Sequence, residues 1–377
     1  MEEKNLKART VMMFINYPEE GFVSTDVYEK NLSCSLKKYI IVVKYLPFNK
    51  LSGKLGYFNL KTRFLFRYFI YPLSIFFHQG DINHIVDQTY AHLLYFLDGS
   101  KTVVTVHDLD VLRLKFIKWP TLRDKLIKYF YIWSVKGLKN AAKIIAVSKD
   151  TKNDLINFLN IPSEKIVVIP QGVSPEFKRI NNKIILGKVK KKYNLPDKFI
   201  LHVGQNWQYK NIEGILEIFG EISKEKDFQN LFFVKVNGDW SENQNKLIDK
   251  LGIRNRIIKL PYILLEDLVV IYNHATVLLQ LSFLEGFGLT VLEAMACGCP
   301  VAVSNTPALK ELVSDCGIIL DPLEKKKTII NLKSLILDRK KRLLYSQKCL
   351  IKSKNYSWKK TAQKTLKVYE EVIAKKI

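Results

Sequence analysis

The chain has 377 residues, 47% hydrophobic and 25% charged, which suffices for the cores of two ordinary domains and excludes wholesale disorder. Sixty basic against 36 acidic residues give a net charge of +24, a field that attracts nucleic acid, anionic lipid or phosphorylated substrates. The charge is spread along the whole chain, which excludes a basic arm and suits ordinary surface solvation equally well.

The charged start MEEKNLKART leads into a short apolar run, Val11–Ile15, too short for a secretory leader or a membrane span. The longest apolar run, Phe69–Phe77, is broken by Pro72 and is also too short. The expectation is a cytoplasmic protein, with peripheral contact at the inner membrane face as an addition. Five cysteines at 34, 297, 299, 316 and 349 are an odd number without disulfide density and read as free thiols. The C-x-C pair Cys297 and Cys299 has no His/Cys cluster to complete a zinc set, so no metal is expected and small buried residues are the reading.

Short β-branched runs alternate with amphipathic stretches, the pattern of parallel α/β folding. The first half predicts strands at Val11–Ile15, Tyr39–Val43, Ile82–Val86, Thr102–Val106, Lys143–Val147 and Lys165–Ile169. A helix is expected over 148–159, with Ser148 as its N-cap. The second half predicts strands at Phe199–Val203, Leu231–Val236, Arg256–Leu260, Thr276–Leu279, Pro300–Ser304 and Gly317–Leu320. Prolines and lysines between the halves mark a linker. The division is then 1–172 as an N-terminal domain, 173–196 as linker, 197–352 as a second domain, and 353–377 as a terminal helix. In open α/β sheets, ligands sit beyond the carboxyl ends of strands at a topological switch point, so the chemistry belongs in loops that follow strands.

The most informative string is 282–301, Ser-Phe-Leu-Glu-Gly-Phe-Gly-Leu-Thr-Val-Leu-Glu-Ala-Met-Ala-Cys-Gly-Cys-Pro-Val. A strand enters a loop holding Glu285, Gly286, Phe287 and Gly288, and a helix is predicted from about Leu289 to Cys297, with Gly298 at its C-cap. Glycine lets bare backbone approach a ligand. The first helical amides lack intrahelical partners and lie at the positive end of the dipole, so amides from Phe287 through Leu289 and Thr290 form a candidate phosphate cradle. Glu285 and Glu293 flank it as acceptors for sugar and ribose hydroxyls.

This segment resembles the E-x7-E signature of retaining glycosyltransferases of family 4, which includes mannosyltransferase-like members. The resemblance implies a GT-B fold: two Rossmann-like, doubly wound parallel-sheet domains facing a central cleft. In that family the first Glu contacts the donor sugar, the second binds ribose, and the amides between them bind the diphosphate; these roles fall on Glu285, Glu293 and residues 287–290. His-Val-Gly-Gln-Asn-Trp-Gln-Tyr-Lys-Asn, 202–211, is similar to the family's Gly-x5-Lys-Asn loop, with Gly204 leading and Lys210 reaching the donor phosphates. Gln205 and Tyr209 stand where many relatives carry arginine. Thr105-Val106-His107-Asp108-Leu109 is similar to the His-Asp motif whose histidine lies near the transferred sugar. Gly21 holds the place of a Gly-Gly pair, and Tyr262 with Ile263 form the base-contacting turn, through backbone atoms. Tyr356-Ser-Trp358 resembles the start of the C-terminal crossing helix, with Trp358 a packing anchor. The segment His84–His92 is either a lining of the acceptor side or a helix entry with ordinary caps.

The expected reaction is hexosyl transfer, mannose or glucose type, from a UDP- or GDP-sugar to a hydroxyl of a glycan, glycolipid or polysaccharide acceptor. It proceeds with retention and without cofactor or metal. Two other readings stand beside it. Lys/Arg interleaved with aromatics over 54–77 and 113–133 suits a basic membrane- or nucleic-acid-binding protein without catalysis. Another GT-B enzyme, such as a sugar-nucleotide epimerase, is the second.

Overall fold

The computed structural model describes residues 9–17, 23–47, 60–113 and 121–375. They divide into two compact units, residues 1–172 with 358–377, and residues 173–357. Each unit is built on a six-stranded, all-parallel sheet.

In the first unit the strands are β1 (Thr10–Phe14), β2 (Ile41–Tyr45), β3 (Ile82–Ile85), β4 (Thr102–Val106), β5 (Lys143–Ala146) and β6 (Ile166–Val168), in the order β2-β1-β3-β4-β5-β6. Parallel strands covered on both faces read as unbroken apolar runs. The TVVTV of β4 is such a run, and all five of its residues are buried. Strand β2 starts two residues later than its hydrophobic pattern predicts. It is an edge strand, half exposed, where one-sided burial leaves the register loosely encoded. Helix Lys149–Leu159 begins as expected, with Ser148 Oγ accepting from the Thr151 amide.

The C-terminal helix Trp358–Ala374 completes this unit. Trp358, Ala362, Leu366, Tyr369 and Val372 pack with Val11, Met13, Tyr28, Ile82 and Ile145 in one core. Thr361 Oγ1 donates to Pro170 O at 2.9 Å. A buried polar chain crosses the same interface: Tyr369 Oη to His84 Nδ1 at 2.6 Å, His84 Nε2 to Thr105 Oγ1 at 2.9 Å, and Thr105 Oγ1 to Tyr28 Oη at 2.9 Å. Burial drives the His84 pKa down to about 3, with His107 adding to the effect, so the ring is neutral.

In the second unit β7 (Lys198–Val203), β8 (Leu231–Val236), β9 (Ile257–Leu260), β10 (Val277–Gln280), β11 (Val301–Ser304) and β12 (Ile318–Leu320) follow the order β12-β11-β10-β7-β8-β9. Strand order therefore reverses between β7 and β10, the switch point of a doubly wound sheet. Residues 173–196, read above as a linker, carry the helix Lys183–Lys192. Its end is held to Asp267 Oδ2 by Lys192 Nζ at 2.6 Å and Tyr193 Oη at 2.7 Å, so the segment packs as part of the second unit.

Candidate active site

The loops after β7 and β10 meet at the switch point. Backbone joins them first: the Phe283 amide donates to Tyr209 O at 2.8 Å, and Asn211 Nδ2 donates to Leu281 O at 3.1 Å. Asn211 adopts a left-handed backbone at φ 55°, which turns the chain into helix Ile212–Ser223. The two loops thereby bring Lys210 and Glu285 together, with Nζ 2.7 Å from Oε1. That oxygen also accepts from Gln280 Nε2 at 2.7 Å and Ser282 Oγ at 2.8 Å. Three donors on one oxygen fix the carboxylate, and the lysine is held with its side chain only 17% exposed. A partly buried, charge-assisted pair of this kind is pre-oriented.

Beside it the helix Leu289–Ala296 starts at Gly288. Val291 and Leu292 amides both donate to Gly288 O, so Leu289 and Thr290 precede the helical ladder. Gly288 sits at φ 94°, and a Cβ there would lie 2.5 Å from Leu309 Cδ2. At that φ an L side chain is strained, so glycine suits this entry. Phe287 is buried, edge-on to Tyr356 at 6.0 Å, while Glu285, Gly286, Leu289 and Thr290 are partly exposed. Lys210 and Glu285 thus stand together beside a helix N-terminus, an arrangement suited to holding an anion and an adjacent hydroxyl-bearing group.

Glu293 differs from the flanking carboxylate expected of it. Its side chain is buried inside the unit and accepts from Tyr272 Oη at 3.0 Å. Burial pushes its pKa up to about 8, the Tyr272 hydrogen bond opposing. The ligand-free protein therefore holds it protonated at neutral pH. A raised carboxyl pKa is a stabilisation of the protonated form that is complete below the unfolded value and lost as pH rises through the folded one. Wild-type Tm is accordingly expected to fall between about pH 5 and pH 9, where Glu293→Gln stays flatter. Scanning fluorimetry across that range checks it, and parallel curves would rule it out.

Of the remaining expected contacts, Tyr262 is exposed and Ile263 buried, just beyond the edge strand β9. Gly204 follows β7 at φ 149°. Gly21 lies outside the described residues. His107 follows β4 in the first unit, and both of its ring nitrogens are committed there. Nε2 lies 3.0 Å from Val86 O, which only accepts, so Nε2 carries the proton. Nδ1 then accepts from Gln171 Nε2 at 3.1 Å. Burial lowers the ring's pKa against the pull of Asp87. The ring is neutral and fixed by Gln171, which relates to it across 64 residues that no local pattern links.

The His84–His92 segment is a capped, buried entry. Asp87 Oδ1 caps the Thr89 amide at 2.6 Å, its Oδ2 takes Asn16 Nδ2 and Thr25 Oγ1, and both histidines are buried. No group of three or more His, Cys, Asp or Glu side chains with metal-binding spacing occurs among the described residues. No described helix is long and apolar enough to cross a membrane.

The family model described as Glycosyl transferases group 1 matches residues 187–349, and that described as Glycosyltransferase Family 4 matches residues 31–177. The chain is 27% identical over 274 residues to O-antigen chain mannosyltransferase B of Escherichia coli, covering 72% of this chain and 70% of that protein. It is 26% identical over 279 residues to the serotype-specific mannosyltransferase WbdA of Escherichia coli; the match takes in 72% of this chain but 34% of that longer protein. Among solved structures, Anabaena HepE in complex with UDP and glucose superposes with a TM-score of 0.74 at 15% identity, over 96% of this chain and 99% of that one. With two parallel six-stranded sheets and both family models matched, the chain belongs to glycosyltransferase family 4 and has the GT-B fold.

Proposed function

We propose that this enzyme moves a hexose, of mannose or glucose type, from a UDP- or GDP-sugar to a hydroxyl of a growing glycan, with retention at the anomeric carbon. The observation that carries the reading is the Lys210–Glu285 pair, held at the switch point beside the Gly288 helix entry. In this reading the amides of residues 287–290 and Lys210 bind the diphosphate, Glu285 orients the sugar, Glu293 meets the ribose, and Tyr262 and Ile263 face the base. The C–O bond to the diphosphate breaks with its electron pair going to the leaving oxygen. The acceptor oxygen bonds to the same face of the anomeric carbon and gives its proton to that leaving oxygen. Lys210 then stabilises charge that grows only as the bond breaks. The donor is the one small molecule required; no resident cofactor is invoked. The relatives, named as mannosyltransferases, favour hexosyl transfer over a binding protein without catalysis.

The acceptor is read as lipid-linked, presented at an anionic membrane surface, by the first unit. Rings run continuously from Phe69 to Phe64 at 6.3 Å, Phe64 to Phe130 at 4.6 Å, and Phe130 to Tyr129 at 5.7 Å. Phe69, Leu73, Phe76 and Phe77 on one helical stretch, and Leu122, Leu126 and Tyr129 on the helix Leu122–Lys136, are exposed. That second helix carries Arg123, Lys125, Lys128 and Lys136 against the single acid Asp124. Exposed aromatic and aliphatic groups with cations between them fit anionic headgroups.

Two measurements test the two parts. GDP or UDP is expected to raise the Tm by mass action, about 2.7 kcal/mol of stabilisation at a hundredfold excess over Kd, and phosphatidylserine vesicles to capture the protein where phosphatidylcholine vesicles do not. No shift with either nucleotide sinks the donor reading, and equal recovery from both lipids sinks the surface.

A further inference from the structure

A cation beneath the donor loops has no part in the scheme above. Lys235 lies in β8, whose sequence is LFFVKV, and it is wholly buried. Its Nζ donates to Gly204 O at 2.9 Å, to Gly238 O at 3.4 Å and to Asn237 O. The Trp240 ring centroid lies 5.5 Å away. Every one of these partners is neutral. Asp239 pairs with Lys259 instead. Burial brings the Lys235 pKa down to about 8, Lys259 acting in the same sense and Asp239 against it. A buried ammonium met only by dipoles carries a desolvation cost that an anion would relieve.

Its position says which anion. Gly204 opens the loop that ends in Lys210, and between them stand Gln205, Asn206, Trp207, Gln208 and Tyr209, all uncharged. In a trans peptide the carbonyl and the following N–H point in opposite directions. With Gly204 O drawn inward onto Lys235, the Gln205 N–H is turned outward, away from the buried ammonium.

We propose that Lys235 is a positioning residue of the donor site, a buried second cation that orients the Gly204–Gln205 peptide toward the diphosphate and whose charge that diphosphate balances. This rests on the reading that a nucleoside diphosphate binds at the switch point.

The test uses Lys235→Met, with Lys235→Leu as a second variant, and calorimetric titration with GDP and UDP and with the matching nucleosides. Both variants are expected to fold with a lowered Tm in the ligand-free protein, because Gly204 O, Asn237 O and Gly238 O lose their donor. Diphosphate affinity is expected to fall about thirtyfold or more, while the nucleoside of the same base keeps its affinity. Equal losses for diphosphate and nucleoside, unchanged diphosphate affinity, or failure of both variants to fold would each overturn the proposal. Wild-type protein that binds neither diphosphate removes the donor reading itself, and this inference with it. Wild-type binding with a flat response in the variants removes the inference alone.

Discussion

Lys210→Met is expected to lower kcat/KM by about 10²- to 10³-fold, with most of the loss in kcat. In the unliganded protein the ammonium is already engaged with Glu285 Oε1, so its pull on the diphosphate is greatest when that group leaves with its full charge. Removing one preorganised stabiliser of a developing anion costs about 3–4 kcal/mol, which is the stated range in rate. Glu285 keeps Gln280 and Ser282 as partners after the substitution, so the fold survives and Tm moves little. The companion Glu285→Gln removes the charge that holds Lys210. Because the two side chains touch, the double variant is expected to lose clearly less than the sum of the single losses. Steady-state kinetics on the three variants check this. A Lys210→Met enzyme with wild-type kcat would place the reacting diphosphate elsewhere.

Cutting the chain after Ser357 is expected to abolish cooperative folding of the first unit. The removed helix supplies Trp358, Ala362, Leu366, Val368, Tyr369 and Val372 to the core that also holds Val11, Met13 and Tyr28. Each large buried side chain contributes about 1.5–3 kcal/mol, so their sum is comparable with the roughly 5–15 kcal/mol that holds an ordinary domain together. The loss also strands His84, whose Nδ1 is met by Tyr369 Oη, as a buried polar group without that partner. The second unit, 173–357, contains none of the deleted residues. Calorimetry of the truncated chain is therefore expected to show one melting transition where the full chain shows two. Retention of both would mean that the helix only decorates the first unit.

The sheets were legible because parallel strands buried on both faces write themselves as β-branched runs, and twelve such runs became twelve strands. The Glu285–Thr290 loop was legible because Gly288 has a conformational reason to be there, its backbone standing at φ 94°. What escaped was pairing over distance. Tyr272 faces Glu293 from another helix, Gln171 holds His107 from beyond two further strands, and neither partner announces itself locally. Lys235 escaped for a different reason. In LFFVKV it reads as a polar residue at a strand end, where a solvated ammonium is the ordinary outcome, and only the inward turn of the Gly204 carbonyl gives it a buried place. The burial and protonation state of Glu293 escaped as well, because they depend on how completely its surroundings exclude water.

The helix that closes the first unit is made after every strand of both sheets. β1 is translated ahead of the other described strands, yet the apolar face it shares with Tyr28 stays uncovered until Trp358–Ala374 emerges. The later-encoded second unit has all its residues before that point. On a nascent chain the order of completion is therefore inverted, and for most of synthesis the early half is the one that calls for chaperone cover.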